Sequence, residues 1–280
     1  MRSLAVGRGA SAPAPLSVVH CVLGRVKVRD MTSVRIAVGR HRASARAIVV
    51  LAGLAGASAL PLLATVNRAV VAQGVATSPG VHPISGRRIA AVMSHAGADW
   101  LDRPEREVEE RPDDAVEALR LRPGAVVADL GAGSGYFTVR LARRVGPAGR
   151  VFAADIQPEM LSLLRTRLQR EAVTNVELVQ SAENDPRLPA RTFDLILMVD
   201  VYHELARPQV ILSKLLTSLK PAGRLVLLEY RKEDPAVPIR PEHKMSVADA
   251  RLELEAEGFQ LDRVDRRLPR QHILIFRPAP

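Results

Sequence analysis

The chain has 280 residues, 47% of them hydrophobic, and a formal charge of +10, which is length enough for one large or two modest domains. The charge is lopsided: residues 1–90 hold 12 of the 40 Lys and Arg against one acid, Asp30, while residues 91–280 set 28 bases against 29 acids. A phosphate-binding face on the folded part therefore has little support, and nucleic acid is not an expected partner. Cys21 is the only cysteine, so residues 91–280 carry no disulfide, thiolate zinc site or cysteine nucleophile.

Residues 1–76 read as a basic leader. Between Arg46 and Arg68 lie 21 uncharged residues, preceded by Arg35, Arg40, His41, Arg42 and Arg46. A basic flank before an apolar run is the pattern of an export signal or a membrane anchor, and the run 47–67 is long enough to span a bilayer at about 1.5 Å per residue. Its Gly, Ala and Pro61 make it a weak anchor, and small-residue cleavage after Ala72 or Ala76 fits equally well. The expected location is exported or anchored in the inner membrane, with a cytoplasmic protein as the alternative. Residues 1–30 lack periodicity, and Met31 is a plausible true start. Residues 77–90, rich in Pro, Gly and Ser, read as a linker, which leaves 91–280 as the folded domain.

Within that domain the charged stretch around Trp100, W-L-D-R-P-E-R-E-V-E-E-R-P, is either a solvated helix packed by Trp100 or a flap over a ligand. A helix over Asp113–Leu121 follows, closed by the R-P-G turn. The stretch V-V-A-D-L-G-A-G-S-G-Y, Val126 to Tyr136, is an apolar run that ends on an acid and turns through Gly131, Gly133 and Gly135 into a helix. Glycines let a backbone approach a ligand closely, and the helix start behind them offers free N–H groups.

The next strand, R-V-F-A-A-D, ends in Asp155, 20 residues beyond Gly135, where a carboxylate can accept both hydroxyl protons of a ribose. Its structural alternative is an N-cap for the helix starting at Pro158. A third strand, Val176 to Gln180, leads to Ser181, Glu183 and Asp185, candidate contacts to a base. The fourth, F-D-L-I-L-M-V, reads as buried on both faces and releases Asp200-Val201-Tyr202-His203-Glu204 at its carboxyl end, the place where open α/β sheets hold their sites.

A helix over Pro208–Leu219 stops at K-P-A-G, and a fifth strand ends in Glu229 and Tyr230. Ser246 and Asp249 form a capping-box pattern for the helix closed by Gly258. Two last strands, Phe259–Asp265 and His272–Phe276, are close enough in sequence to pair antiparallel. The β-α alternation with a final hairpin predicts a three-layer α/β sheet.

A dinucleotide loop needs a third glycine where Tyr136 stands, and Asp129 beside a diphosphate would repel it. A cationic, ribose-bearing ligand fits better. S-adenosylmethionine has an ammonium for Asp129 to attract and a ribose for Asp155. Through D-L-G-A-G-S-G, Asp155, F-D-L-I-L-M-V-D and L-K-P-A-G-R-L-V-L-L-E, residues 91–280 resemble the class I S-adenosylmethionine-dependent methyltransferases. More narrowly they are similar to bacterial members with W-L-x-R-P-E-R before the core, V-D-V-Y-H-E after the fourth strand and E-Y-R-x-E-D-P after the fifth. The resemblance implies a Rossmann-like seven-stranded sheet of order 3-2-1-4-5-7-6 with strand 7 antiparallel. It also implies a cofactor loop of Gly131, Gly133 and Gly135 and a ribose acid at Asp155, with Glu183 or Asp185 standing in for the adenine-binding Asp that relatives carry where this chain has Ser181; Asp129, from its charge, and Asp200, at the end of the fourth strand, complete the expected cofactor site.

Methyl transfer is an in-line displacement in which the protein mainly supplies alignment. His203 is the best-placed base if the acceptor must lose a proton, with Tyr202, Glu204 and Glu229 to orient it. Capping of the following segment is the structural reading of His203, and His243, His272 and Lys244 are further candidates. No N-P-P-Y or D-P-P-Y follows the fourth strand, and Asp200 alone makes no metal set. The expected partner is a small-molecule O or C acceptor, with no metal. A non-catalytic cofactor-binding module and a nicotinamide-dependent oxidoreductase are the alternatives. The basic leader also predicts export from the cytosol, where S-adenosylmethionine is made, so either the leader is a tether that fails to translocate the domain or the exported domain is a binding module and no longer an active methyltransferase.

Overall fold

The computed structural model describes residues 80–280. The expected leader, its apolar run 47–67, Met31 and residues 77–79 lie outside them. No helix of the described residues is long and apolar enough to cross a membrane.

Three short helices precede the sheet: α1 (Ala98–Leu101), α2 (Arg106–Glu110) and α3 (Pro112–Ala118). The strands and remaining helices then alternate: β1 (Val126–Leu130), α4 (Tyr136–Val145), β2 (Arg150–Asp155), α5 (Pro158–Arg170), β3 (Val176–Gln180), β4 (Phe193–Val199), α6 (Pro208–Ser218), β5 (Leu219–Tyr230), α7 (Val247–Glu255), β6 (Phe259–Asp265) and β7 (Gln271–Pro278). They form one seven-stranded sheet of order β3-β2-β1-β4-β5-β7-β6. β7 is antiparallel to both neighbours and the other pairings are parallel. The Rossmann-like methyltransferase order and the terminal hairpin are as expected.

Local chemistry explains the boundaries. Pro158 opens α5 with Glu159 in its first turn and Arg167 and Arg170 in its last, charges that oppose the helix dipole at each end. Ser246 caps α7 by accepting from the Asp249 amide at 2.9 Å. Continuous apolar runs in β1, β4 and β5 bury both faces: Ile196, Met198, Leu225 and Leu227 pack toward one layer, while Leu195, Leu197, Val226 and Leu228 pack toward the other. Each such side chain contributes roughly 1.5–3 kcal/mol relative to exposure. Most of the sheet's stability lies in these two layers.

Three expectations about these elements need correction. α3 ends at Ala118, three residues short of Leu121, because Leu119 and Leu121 turn into the core while Arg120 takes a left-handed φ of 49°. β5 begins at Leu219, with K-P-A-G inside it: the register slips from Phe193↔Leu219 to Leu195↔Arg224, a bulge that absorbs the extra residues. Trp100 is not a core anchor: it is half exposed and carries the Arg103 guanidinium 3.8 Å above its ring.

The described part of the linker, residues 80–90, is bound to the domain rather than hanging free of it. Arg87 is buried and donates to both oxygens of Glu253 in α7, at 2.8 and 3.0 Å, and to the His203 carbonyl at 3.1 Å. His82 Nε2 lies 3.2 Å from Glu253, and Ser85 also donates to that carboxylate. Ile89 and Ala90 are buried as well. The Pro-Gly-Ser composition that suggested a tether encodes a turn (the Gly86 amide donates to His82) that aims Arg87 inward.

Candidate active site

The carboxyl ends of β1, β2, β4 and β5 converge at one edge of the sheet. Backbone geometry sets the loop after β1. A Cβ on Gly131, at φ 76°, would stand 2.4 Å from Val201 Cγ2, and one on Gly135, at φ 87°, 2.0 Å from Leu164 Cδ1. Only glycine meets both the left-handed conformation and the contact. The Gly133 amide donates to Asp155 Oδ2 at 2.9 Å. Gly135 is the N-cap of α4, and no side chain caps that helix, so its first-turn N–H groups remain available to an anion.

Asp129 is buried beneath this loop, its Oδ2 accepting from Thr138 Oγ1 at 2.6 Å. Burial pushes its pKa up to about 6, opposed by the Thr138 hydrogen bond. Asp155 ends β2 and accepts from the amides of Gly133 and Gln157. Burial raises its pKa too, and the backbone amides work against that rise. The N-cap of α5 is Gln157, not Asp155: the Asp155 carboxylate fastens the turn before the helix to the glycine loop.

The segment around Trp100 lies on this loop. Leu101 Cδ1 sits over Gly133, and Asp102 accepts from Ser134 Oγ at 3.0 Å and pairs with Arg167 at 2.6 Å. Behind it Arg106 is buried, held by Glu110 at 2.6 Å and stacked 4.3 Å from the Tyr136 ring centroid. Of the two readings of this stretch, the cover over the loop fits its contacts. Nothing local in W-L-x-R-P-E-R marks Arg106 as buried, since Glu110 lies beyond the motif and Tyr136 is brought to it by the fold.

Residues after β3 are less engaged. Ser181 is buried and Glu183 is exposed. Asp185 accepts from the Arg187 amide and pairs with Lys214 at 2.9 Å, and these, the amide first, lower its pKa.

After β4 the chain bends sharply. Asp200 has a φ of 54°, a strained value for a residue other than glycine. Its Oδ2 accepts from Gln271 Nε2 at 2.7 Å, and burial with Glu110 and Glu229 nearby raises its pKa well above the usual range. Tyr202 is fully buried in the core, with the Arg87 guanidinium 5.3 Å from its ring centroid. An orienting role at the surface of the site does not suit it, because its ring packs inward.

His203 Nδ1 is 2.6 Å from Glu229 Oε2 at the end of β5, and Nε2 is 3.2 Å from His243 Nδ1. Burial lowers the His203 pKa, but Glu229, followed by Glu204 and Asp200, reverses the balance and leaves it raised. Glu204 Oε1 lies 3.9 Å from His203 Nε2 and 3.7 Å from His243 Nδ1. Burial pushes Glu204 up to about 7. His243 is lowered, chiefly by burial and then by His203. The capping role weighed for His203 is not seen: its ring makes side-chain contacts, and its carbonyl accepts from Ala90 and Arg87. His272 is buried and pairs in register with Glu229, and among the described residues its ring nitrogens find no partner. Lys244 donates to the Asp234 carbonyl at 3.2 Å.

The sheet order, the glycine loop and the paired strand-end acids define a class I S-adenosylmethionine-dependent methyltransferase, with S-adenosylmethionine as its cofactor. A family model described as a methyltransferase domain matches residues 121–259. Over 119 residues the chain is 36% identical to a ubiquinone/menaquinone biosynthesis C-methyltransferase of Hydrogenovibrio crunogenus, covering 42% of this chain and 47% of that one. The chain thus spans about half the length of the curated relatives it matches. A solved S-adenosylmethionine-dependent methyltransferase from Aquifex aeolicus superposes with a TM-score of 0.62 at 29% identity, covering 66% of this chain and 98% of that one. A methyltransferase from Haloferax volcanii, solved with its Trm112 activator, shares the fold at 18% identity and a TM-score of 0.53, over 68% of this chain and 100% of that one.

Proposed function

We propose that the chain transfers the methyl group of S-adenosylmethionine to an oxygen or carbon of a small molecule, by in-line displacement at the sulfonium. One observation carries this reading: the glycine loop packs at Gly131 against Val201, two residues before the buried His203 that pairs with Glu229, so the loop and the pair share one edge of the sheet. In this reading Asp129 faces the cofactor's ammonium, the uncapped start of α4 its carboxylate, and Asp155 its ribose. The acceptor meets the methyl beside His203, Glu204 and His243, where its proton is lost. The cofactor's sulfur leaves as a neutral thioether, so no acid is needed on that side. The relatives' carbon methylation in quinone biosynthesis makes phenolic and quinol-like rings the first acceptors to test.

The test is release of demethylated cofactor by the full chain over a panel of phenols, quinols and carbon acids, with calorimetry of S-adenosylmethionine and NAD alongside. Turnover with one class supports the proposal. Cofactor binding without turnover on any acceptor points to a binding module, and tight NAD binding alone overturns the reading. We take the leader, in the same spirit, as an export signal or inner-membrane anchor. Recovery of the native protein only from the soluble cytosolic fraction would refute that.

A further inference from the structure

We propose that His203, His243 and Glu204 form a binding site for a divalent transition metal of the zinc class, placed to hold the acceptor's hydroxyl oxygen. This deepens the acceptor side of the proposed function and rests on that reading only for the metal's role, not for its binding. His203 Nε2, His243 Nδ1 and Glu204 Oε1 stand 3.2, 3.7 and 3.9 Å apart. A point equidistant from all three lies about 2.1 Å from each, the length of a Zn–N or Zn–O bond. Two imidazoles and one carboxylate are a donor set that catalytic zinc uses, with a further position left to water or substrate.

The surroundings are built to match. Glu229, fully buried, sits 2.6 Å from His203 Nδ1. A carboxylate there accepts a hydrogen bond from Nδ1–H, which fixes the tautomer and leaves Nε2 with its lone pair, as carboxylates behind metal-bound histidines do. That lone pair points at His243 Nδ1 and not at a protein donor of fixed identity. Among the described residues, the charged or chargeable nitrogens that approach Glu204 are the two ring nitrogens, at 3.7 and 3.9 Å. Glu229 and Asp155 lie near enough to add negative charge around Glu204. His203 and Glu229 close the site from within, while His243 keeps 23% of its side chain exposed, which leaves an entry path for ion and substrate. The sequence hid this set because His243 is 40 residues from His203 and comes from a different loop.

The metal narrows the acceptor to oxygen, above all a phenol or enol with a second oxygen beside it to share the ion. The acceptor's O–H bond breaks as its oxygen coordinates, and the proton goes to solvent. The oxygen's electron pair then forms the new C–O bond, while the C–S bond breaks and its pair stays on the neutral sulfur. His203 acts here as a ligand and not as the base.

The test uses the full chain, stripped with a chelator and titrated with Zn2+ against a competing indicator, and with Co2+ followed by its visible d–d absorption. One equivalent binding to the wild type is expected, with loss in His243→Ala. In Glu229→Gln, affinity should drop by about 10- to 100-fold, the range for the group behind a metal-bound histidine. Thermal melts of each metal-free protein show whether a loss reflects unfolding; Glu204→Gln, isosteric, gives a second ligand deletion if His243→Ala melts early. No stoichiometric binding by the wild type, or equal affinity in both ligand variants, overturns the site. Calorimetry of S-adenosylmethionine on the stripped protein keeps the two ideas apart. Cofactor binding without metal binding sinks the metal site alone, while metal binding without cofactor binding leaves the site and sinks the proposed function.

Discussion

Asp129→Asn keeps the side chain's shape and an acceptor for Thr138 but removes its capacity for charge. Burial has pushed the folded-state pKa of Asp129 from 3.8 to about 6, so the protonated form is the one the apo fold prefers. Its favourable contribution is complete below the unfolded value and is lost as pH rises through about 6. The shift of about 2 units corresponds to roughly 3 kcal/mol at 1.36 kcal/mol per unit. Urea denaturation of the apo variant should therefore show up to about 3 kcal/mol of added stability at pH 8 and almost none at pH 4. Cofactor binding should move the other way. The cofactor's α-ammonium, with a pKa near 8, stays charged between pH 5 and 7, so wild-type affinity should fall about tenfold from pH 7 to pH 5 as Asp129 takes up a proton. The variant should bind weakly with less of this dependence. An apo variant no more stable than wild type at pH 8, or one with the wild-type pH slope in calorimetry, would refute the assignment of both the buried charge and its cationic partner.

Asp155→Ala should weaken S-adenosylmethionine binding at least tenfold, and it should also cost about 1–3 kcal/mol in denaturant because the Gly133 and Gln157 amides lose their acceptor. Gly135→Ala places a methyl into Leu164 at a left-handed φ; a loss of about 1–3 kcal/mol is expected, against less than about 0.5 kcal/mol for Gly80→Ala, where nothing lies within 4 Å. Glu253→Ala strands the buried guanidinium of Arg87, so melting should register a loss of about 3–5 kcal/mol, and limited proteolysis should cut first between residues 80 and 90.

What could be read in the sequence and what could not divide along physical lines. Gly131, Gly135 and Asp155 were legible because a tight strand-to-helix turn and a strand-end acid impose fixed local spacings. The sheet order was legible through the family resemblance, and its final antiparallel hairpin through the short connection between β6 and β7 alone. Contacts between distant segments were not. Arg87 meets Glu253 across 166 residues, and nothing in a Pro-Gly-Ser stretch announces a partner so far away. Tyr202 looked available because it stands among polar neighbours at a strand end, but the sharp turn at Asp200 points its ring into the core. Trp100 looked like a packing anchor because large aromatics usually are, yet the smaller Leu101 next to it makes the contact.

The hold of Arg87 on Glu253 and on the His203 carbonyl has a practical corollary for where the domain can be cut. A chain shortened to begin at residue 91, where the composition changes, would leave the α7 carboxylate buried without its cation and would free the backbone that carries His203. The smallest autonomous unit therefore starts at or before Gly80. A truncation series across residues 76–91 should show full folding and cofactor binding down to Gly80 and an abrupt failure once Arg87 is gone.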